Sequence, residues 1–425
     1  VRTDVSETHN GGLNANVNGV FNVPLMAGKV GLRVSVYDRH DDGYIDRYRV
    51  DPQNYLAPDR SHKQDNVNTY HTYGARVAML IRPDDTLTIT PSFIYQKSRL
   101  GSPFTYDKVP ATLSDPYQVR DVDETNQQES TVSNLAIHKQ FDKVELMSST
   151  SYFTRTVDLR DDSSKVVNYF FGLPSVYPVT MYGAYKNKEF TEEMRATSQF
   201  DGPFQAIVGA FYHDVHAPLH SSIPYPQGFN DTFGTPFPAY SSIYVGARRA
   251  TLDEYAVFGE LSYDITEQLK ASVGLRAFKV TQTFTQSGDG LFNGGYSTVS
   301  NKSKDYGNTP KYTLQYQVAP DKMIYATASK GYRPGGPNNP APAALCGAEV
   351  AGLGLSQSQL SKYQPDYLWN YELGAKTAWL DQRLTVDASV YRIEWDKVQQ
   401  QIVLQCGFNI TANCGKAVSQ GGEVE

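Results

Sequence analysis

The stretch NYELGAKTAWLDQRLTVDASVYRIEW, Asn370 to Trp395, alternates apolar and polar residues on both sides of one short turn. Alternation at period two marks a strand whose two faces meet different surroundings. With Asp381 and Gln382 at the turn, Leu380 pairs with Arg383. Trp379 then faces Leu384, Thr377 faces Val386, Ala375 faces Ala388 and Leu373 faces Val390, all on one face. The other face carries Ala378 with Thr385, Lys376 with Asp387, Gly374 with Ser389 and Glu372 with Tyr391. The Lys376–Asp387 pair favours this register by about 0.2–1 kcal/mol, and a slip of one residue would separate the two charges onto opposite faces. The apolar face mixes Thr and Ala with larger residues, which suits a wall against lipid better than a packed core. Trp379, beside the turn, stands where an interfacial aromatic belongs.

The rest of the chain repeats this unit. LNANVNGVF returns through NVPLMAG into KVGLRVSVYD, with Leu13, Ala15, Val17, Gly19 and Phe21 on one parity and Val30, Leu32, Val34 and Val36 on the return. YGARVAMLI returns as LTITPSFIY, with Ala75, Val77, Met79 and Ile81 facing the same way as Leu87, Ile89, Pro91 and Phe93. Further units are NLAIHKQFDKVELMSSTSYF, FTEEMRATSQF with FQAIVGAFYHD, YAVFGELSYDITEQLKASVGLRAF, and KYTLQYQVAPDKMIYATASKGY, which turns at Pro320-Asp321. Seven units predict about 14 strands, with NCGKAVSQGGEVE as a fifteenth. Within a unit the turn is roughly 2 to 6 residues, and between units the connection is roughly 20 to 40. Short turns at one end and long loops at the other predict an all-β, antiparallel up-and-down transmembrane barrel rather than a soluble sandwich or propeller.

Composition agrees with this. The 425 residues carry 39 Lys and Arg against 45 Asp and Glu, a formal charge of −6, which argues against a nucleic-acid partner. Tyr numbers 30 and Phe 19, residue types that suit strands and membrane interfaces. No stretch approaches the roughly 20 apolar residues of a spanning helix, a fact that leaves a barrel untouched. VRTDVSETHN has no signal-peptide pattern and GGEVE stops within a strand-like segment, so the chain reads as a fragment of a longer polypeptide.

YQPDYLWNYELGAKTAWLDQRLTVDASVYRIEWDKVQQQI resembles the mid-to-late barrel of TonB-dependent outer-membrane receptors, through Asn370, Tyr371, Glu372, Leu373, Gly374, Lys376, Leu384, Trp395 and Gln400. YATASKGYRPGGPN, the segment NVPL with KVGLRVSVYDRHDDGYID, and FTEEMRATS resemble other strands of that family, in the family's order. The resemblance implies a barrel of about 22 strands filled by an N-terminal plug. On that view residues 1–425 are one barrel domain, partial at 14–15 strands, with the plug and the C-terminal strands missing. It further implies a receptor in the Gram-negative outer membrane with its long loops extracellular. Its activity would be TonB-energised uptake of a scarce solute, a siderophore–iron complex being the leading class. A passive porin-like channel or a surface adhesion barrel is the alternative. Implied partners are outer-membrane lipid and lipopolysaccharide, the TonB complex through the missing plug segment, and a small-molecule ligand; the protein is expected to be monomeric, with no cofactor.

Candidate site residues are few. Tyr169, Phe170, Phe171, Phe229, Phe233, Phe237, Tyr240 and Tyr244 lie between strands, where they either grip a ligand or pack loop against loop. Cys406 and Cys414 bracket GFNITAN in a loop that a disulfide would restrain, with Cys346 as the competing partner. His213 and His216 in YHDVHAPLH point to opposite faces of a strand and so do not share a metal. DRHDDGYID opens like a calcium loop, but Arg49 stands where the bidentate Glu belongs. No nucleophile, zinc-protease, phosphate-loop or dinucleotide motif is present, so no enzyme is expected.

Overall fold

A computed structural model of the chain describes residues 1–52, 54–107, 116–172, 177–226, 228–229, 240–338, 341, 343–355, 357–406 and 408–425. Sixteen strands follow one another in a single sheet, each hydrogen-bonded to the next in sequence. The first eight are β1 (Arg2–Glu7), β2 (Leu13–Met26), β3 (Val30–Asp41), β4 (Tyr70–Asp84), β5 (Leu87–Leu100), β6 (Thr125–Gln140), β7 (Val144–Asp162) and β8 (Thr180–Ser198). The second eight are β9 (Phe204–Ile223), β10 (Tyr244–Asp264), β11 (Leu269–Asp289), β12 (Ser297–Ala319), β13 (Lys322–Arg333), β14 (Asp366–Trp379), β15 (Leu384–Asp396) and β16 (Lys416–Val424). All pairings within this sheet are antiparallel.

The hairpin of β14 and β15 has the register its alternation predicts, from Trp379 opposite Leu384 through Lys376 opposite Asp387 to Glu372 opposite Tyr391. Its turn is wider than two residues: Leu380, Asp381 and Gln382 all take positive φ, near 55–64°, without a glycine. Lys376 and Asp387 meet at 3.9 Å with both side chains about half exposed, an arrangement that selects register more than it stabilises.

Among the described residues the wall sheet has sixteen strands where the sequence predicts fourteen or fifteen. The extra strand is β1, whose RTDVSE carries too little apolar contrast to read as a strand but pairs along its whole length with β2. The sorting of connections holds. Seven turns of two to five residues lie at one end, and the longer connections lie at the other, together with the five-residue turn Thr8–Gly12 between β1 and β2. One expected long loop is short: only Gly290–Tyr296 joins β11 to β12, because those strands run to 21 and 23 residues. Roughly ten residues cross a bilayer, so these strands rise well beyond it.

Register places the side chains in rows that run across the strands. A lower row runs Phe204, Tyr263, Ala271, Leu314 across β9–β12, and an upper row runs Tyr212, Tyr255, Lys279, Tyr306. Eight residues separate the rows on β9, about 20 Å at the usual rise and barrel tilt, which with the rings at both edges matches a lipid band of about 25 Å. Between the rows the outward side chains are apolar apart from Asn308, and the large ones are exposed: Val257 is 63% accessible, Leu261 and Val273 52% each. A soluble protein would cover such a surface; a bilayer does so here.

The inward face is polar and internally paired. Glu189 meets His213 at 3.2 Å, Glu254 meets Arg276 at 2.6 Å, Glu260 meets Lys311 at 3.3 Å, and Tyr325 donates to Glu372 at 2.5 Å. A second device recurs on this face. Gly74, Gly307 and Gly374 stand directly opposite Tyr37, Phe278 and Tyr325 on the neighbouring strand. A Cβ on Gly307 would fall 2.5 Å from the Phe278 ring, and one on Gly374 would fall 2.5 Å from the Tyr325 ring. Each aromatic therefore lies flat in the space its glycine leaves, a device that pins register in twisted sheets.

Candidate ligand-binding end of the barrel

The long-connection end is folded in its own right. Between β3 and β6, Asn54–Gln64, Asp46–Asp51 and Tyr117–Val119 form a three-stranded sheet over a small core of Val50, Tyr117 and Val119. Asn68 is almost fully buried and its Oδ1 accepts from the backbone of Tyr44 and Ile45, both at 2.8 Å. Gln118 is buried too: it donates to the carbonyls of Pro103 and Thr105 and accepts from Ser102 at 2.7 Å. Arg47 reaches Asp123 at 2.8 Å and Gln64, while burial lowers its pKa from the usual value. Asp162, at the top of β7, accepts from the backbone of Asp121 and Val122, which ties this sheet to the wall. Burial raises the Asp121 pKa, and its Oδ2 has no partner. Of the acidic residues of DRHDDGYID, Asp38 meets His71 at 3.0 Å, Asp41 meets Arg39 at 2.8 Å and Asp46 meets Lys63 at 2.8 Å, while Asp42 accepts from the backbone of Gly43.

A second cluster forms around the helix Ser164–Phe171. Asn168 donates to Ser164 and Tyr177 carbonyls and accepts from the Tyr177 backbone, and Gly172 closes the helix at φ 57°. Val167 of the helix is buried with Val179, Ile223 and Ile243, and Phe171, Tyr225, Tyr244 and Phe292 pack around them. Phe171 contacts Phe229 edge-on at 5.1 Å and stacks on Phe292 at 5.8 Å.

The sequence-predicted aromatics thus divide. Phe171, Phe229 and Tyr244 join loop to loop. Tyr240 is half-buried and lies beside Gly295. Tyr169 is 72% exposed at the surface of the helix. Phe233, Phe237 and the side chain of Phe170 lie outside the described residues. His213 and His216 do face opposite ways: His213 points inward to Glu189, and His216 pairs with Asp214.

The cysteines require a correction. Cys346 bonds to Cys406, and Cys414 is unpaired and exposed. The expected Cys406–Cys414 bridge fails on geometry. Gln399–Val403 and Asn409–Asn413 form a hairpin with Cys406 at its tip and Cys414 at its base. The five-residue ladder between them spans roughly 16 Å, beyond disulfide reach. The actual bridge joins the β13–β14 connection to the β15–β16 connection, and Glu349 accepts from the Gln405 backbone at 2.9 Å beside it. Below the bridge, Arg333 pairs with Asp366, which is 1% exposed and also accepts from the Gln399 backbone at 3.0 Å. Asn338 donates to Gln359 and Thr411 carbonyls and accepts from the Thr411 backbone. A cavity of about 490 Å³ opens between Val299, Val350, Leu355, Leu360 and Ile410. Sequence reasoning missed this latch, since its partners come from two connections far apart in the chain and from the strand ends between them.

Known proteins place the architecture. Residues 83–425 match the family model described as TonB dependent receptor-like, beta-barrel. A segment of 162 residues is 25% identical to the metal-pseudopaline receptor CntO of Pseudomonas aeruginosa, covering 38% of this chain and 20% of that protein. The ferric yersiniabactin uptake receptor FyuA from Yersinia pestis superposes at a TM-score of 0.74 with 15% identity, over 99% of this chain and 56% of its own. The siderophore receptor PiuA from Acinetobacter baumannii gives 0.66 and 15%, over 99% and 60%. The chain therefore spans a fifth of the curated relative and under two thirds of either solved structure. Receptors of this kind are transporters of the outer membrane, not enzymes. With its meander, its lipid band, its sorted connections and its family match in agreement, the chain belongs to the TonB-dependent receptor family.

Proposed function

We propose that this chain forms the wall and mouth of an outer-membrane receptor that takes up a scarce metal complex, with a siderophore–metal chelate as the leading class, driven through TonB. Residues 1–425 act as one barrel domain within the longer receptor, with the long connections extracellular and the whole protein monomeric. The observation that carries the reading is the ordered long-connection end. It has its own sheet, an aromatic core and a cross-connection disulfide, which together make a fixed mouth rather than a set of loose loops. A passive pore has little use for such a mouth; a receptor that discriminates one solute needs it. Tyr169 and Tyr240, together with the cavity beside Leu355 and Leu360, are the proposed ligand contacts. The names of similar proteins, a ferric yersiniabactin receptor and a metal-pseudopaline receptor, support a metal chelate as cargo.

The test is growth and radiolabelled-metal uptake in a strain lacking the whole gene, screened against a panel of chelates. One chelate should lose uptake and regain it on complementation. Uptake that persists after collapse of the proton gradient would assign the protein to passive diffusion instead.

A further inference from the structure

Above the bilayer the inner wall carries two arginines that no acid neutralises. Arg155 of β7 stands opposite Asn187 of β8. Arg248 of β10 stands opposite Leu219 of β9, which in turn lies opposite Tyr185 of β8. By parity all of them share the inward face of Glu189 and His213. Among the described residues neither arginine forms an ion pair, whereas Arg276, lower on the same face, is held by Glu254 at 2.6 Å. Arg155 donates at 2.6 Å to Gln128, a neutral acceptor. The Nε of Arg248 is buried without a partner. So is the Oδ1 of Asn187, while its Nδ2 donates to Glu189 and thereby fixes which end of the amide is the oxygen.

Both arginines and Asn187 line one cavity of about 370 Å³. Three strand spacings, roughly 14 Å, separate the two arginine backbones, a span that side chains of this length close from both sides. Leu159, Tyr185 and Leu219 add an apolar surface to the same cavity. The site stands clear of the lipid. Ala217, also on its wall, is five residues above Tyr212 on β9, and Arg248 is seven from Tyr255 on β10. At the usual rise and tilt this is roughly 13–18 Å above the upper aromatic row. Glu189, at the next inward position below Asn187, already holds His213 at 3.2 Å. Asp161 is six residues above Arg155, about 20 Å along β7.

A guanidinium nitrogen buried without a partner has lost its hydration, and an oxyanion is the group that replaces it best, through two parallel hydrogen bonds. The orphaned oxygen of Asn187 needs the reverse, a donor. We infer that Arg155 and Arg248 bind carboxylates of the incoming solute while a hydroxyl of the same solute donates to Asn187, which makes the cargo a hydroxycarboxylate. Its carbon skeleton rests on Leu159, Tyr185 and Leu219. Solvated arginines alone would leave no orphaned donor and acceptor on one cavity wall, and an anion without a hydroxyl would leave Asn187 unmet. The inference rests on the uptake reading for the side from which the solute arrives, and it adds the charge and the hydroxyl that the solute must carry.

The experiment uses the full-length receptor, purified from outer membranes and titrated calorimetrically at low ionic strength. Four probes separate the requirements: citrate, tricarballylate (citrate without its hydroxyl), the uncharged trimethyl citrate, and inorganic phosphate. Citrate should bind the wild type most tightly, tricarballylate roughly fivefold more weakly, and the ester and phosphate roughly tenfold more weakly or worse. R155Q/R248Q should weaken citrate roughly a hundredfold. Asn187→Ala should erase the preference for citrate over tricarballylate. A control is R160Q, which removes an arginine from the outward face, where Arg160 lies 5.9 Å from the Tyr182 ring; it should change nothing. Equal citrate affinity in wild type and R155Q/R248Q, or an ester or phosphate that binds as tightly as citrate, overturns the inference. A tie between citrate and tricarballylate overturns the hydroxycarboxylate assignment. Chelate uptake by the complemented strain is read separately. Arginine-dependent citrate binding without any transported chelate refutes the uptake reading and leaves the site standing. Transport of a chelate, with citrate binding indifferent to the arginines, refutes the site alone.

Discussion

The disulfide between Cys346 and Cys406 should hold two connections together that hydrogen bonds alone would leave exchanging rapidly. Consider Cys346→Ser in the intact barrel. Strands β14 and β15 stay paired when the mouth opens, so the freed loop is shorter than the sequence separation of 60. It consists of the residues from Cys346 to β14 and from β15 to Cys406, about 30 in all. The chain-entropy relation for a loop of about 30 residues gives about 3.6 kcal/mol, or roughly 400-fold in the opening equilibrium. Hydrogen–deuterium exchange read by mass spectrometry measures this directly. The amides to follow are Asn338, which donates to Ser361 at 2.9 Å, Leu404, which donates to Phe408 at 2.7 Å, and Thr411, which donates to Asn338. They should exchange two to three orders of magnitude faster in the variant or in reductant, while Leu373 and Val390 in the wall stay protected. Unchanged exchange at those three amides would refute the entropic argument. A peptide map joining Cys406 to Cys414 would refute the pairing itself.

Three further outcomes follow from the same structure. Leu275→Arg on the lipid band should cost about 2–4 kcal/mol and lower barrel assembly on a heat-modifiability gel, whereas Thr313→Lys on the inner face should assemble normally. Arg333→Ala should strip the buried Asp366 of its guanidinium and raise protease cleavage in the connection after β15; the expected cost is about 2 kcal/mol, below the usual figure for a fully buried pair because Arg333 is half exposed. Burial holds the Asp121 pKa above its unfolded value of 3.8, so its charge penalty is absent below that value and grows as the pH rises above it. Acidification should therefore slow amide exchange around Val50, after correction for intrinsic rates, and Asp121→Asn should give that protection at pH 7 and remove the dependence.

Much of the wall could be read from the residues, because the bilayer imposes the alternation. Trp379, Thr377, Ala375 and Leu373 lie on one face opposite the partners the pattern assigns. The reading failed where that constraint ends. Above the lipid, β12 begins at Ser297 with both faces polar, and β9 continues to Ile223 with polar residues outward and Val215, Ala217 and Leu219 inward, so the apolar-outward contrast of the lipid band does not mark the strands there. The mouth was harder still. Arg47 meets Asp123 across 76 residues, and Asn338 meets Thr411 across 73, contacts that no local pattern encodes. Three cysteines allow three pairings; the hairpin that separates Cys406 from Cys414 excludes one, and the way the two connections meet brings Cys406 rather than Cys414 to Cys346.

The aromatic rings lying over Gly74, Gly307 and Gly374 also govern clearance. A ring laid flat adds its thickness to the wall, while a ring standing upright would add its full width. Because the glycines recur on the inward face, the bore stays wide at the levels where bulky aromatics occur. Alanine at any of these glycines would lift a ring toward the axis, so the glycines set the calibre of the passage without lining it.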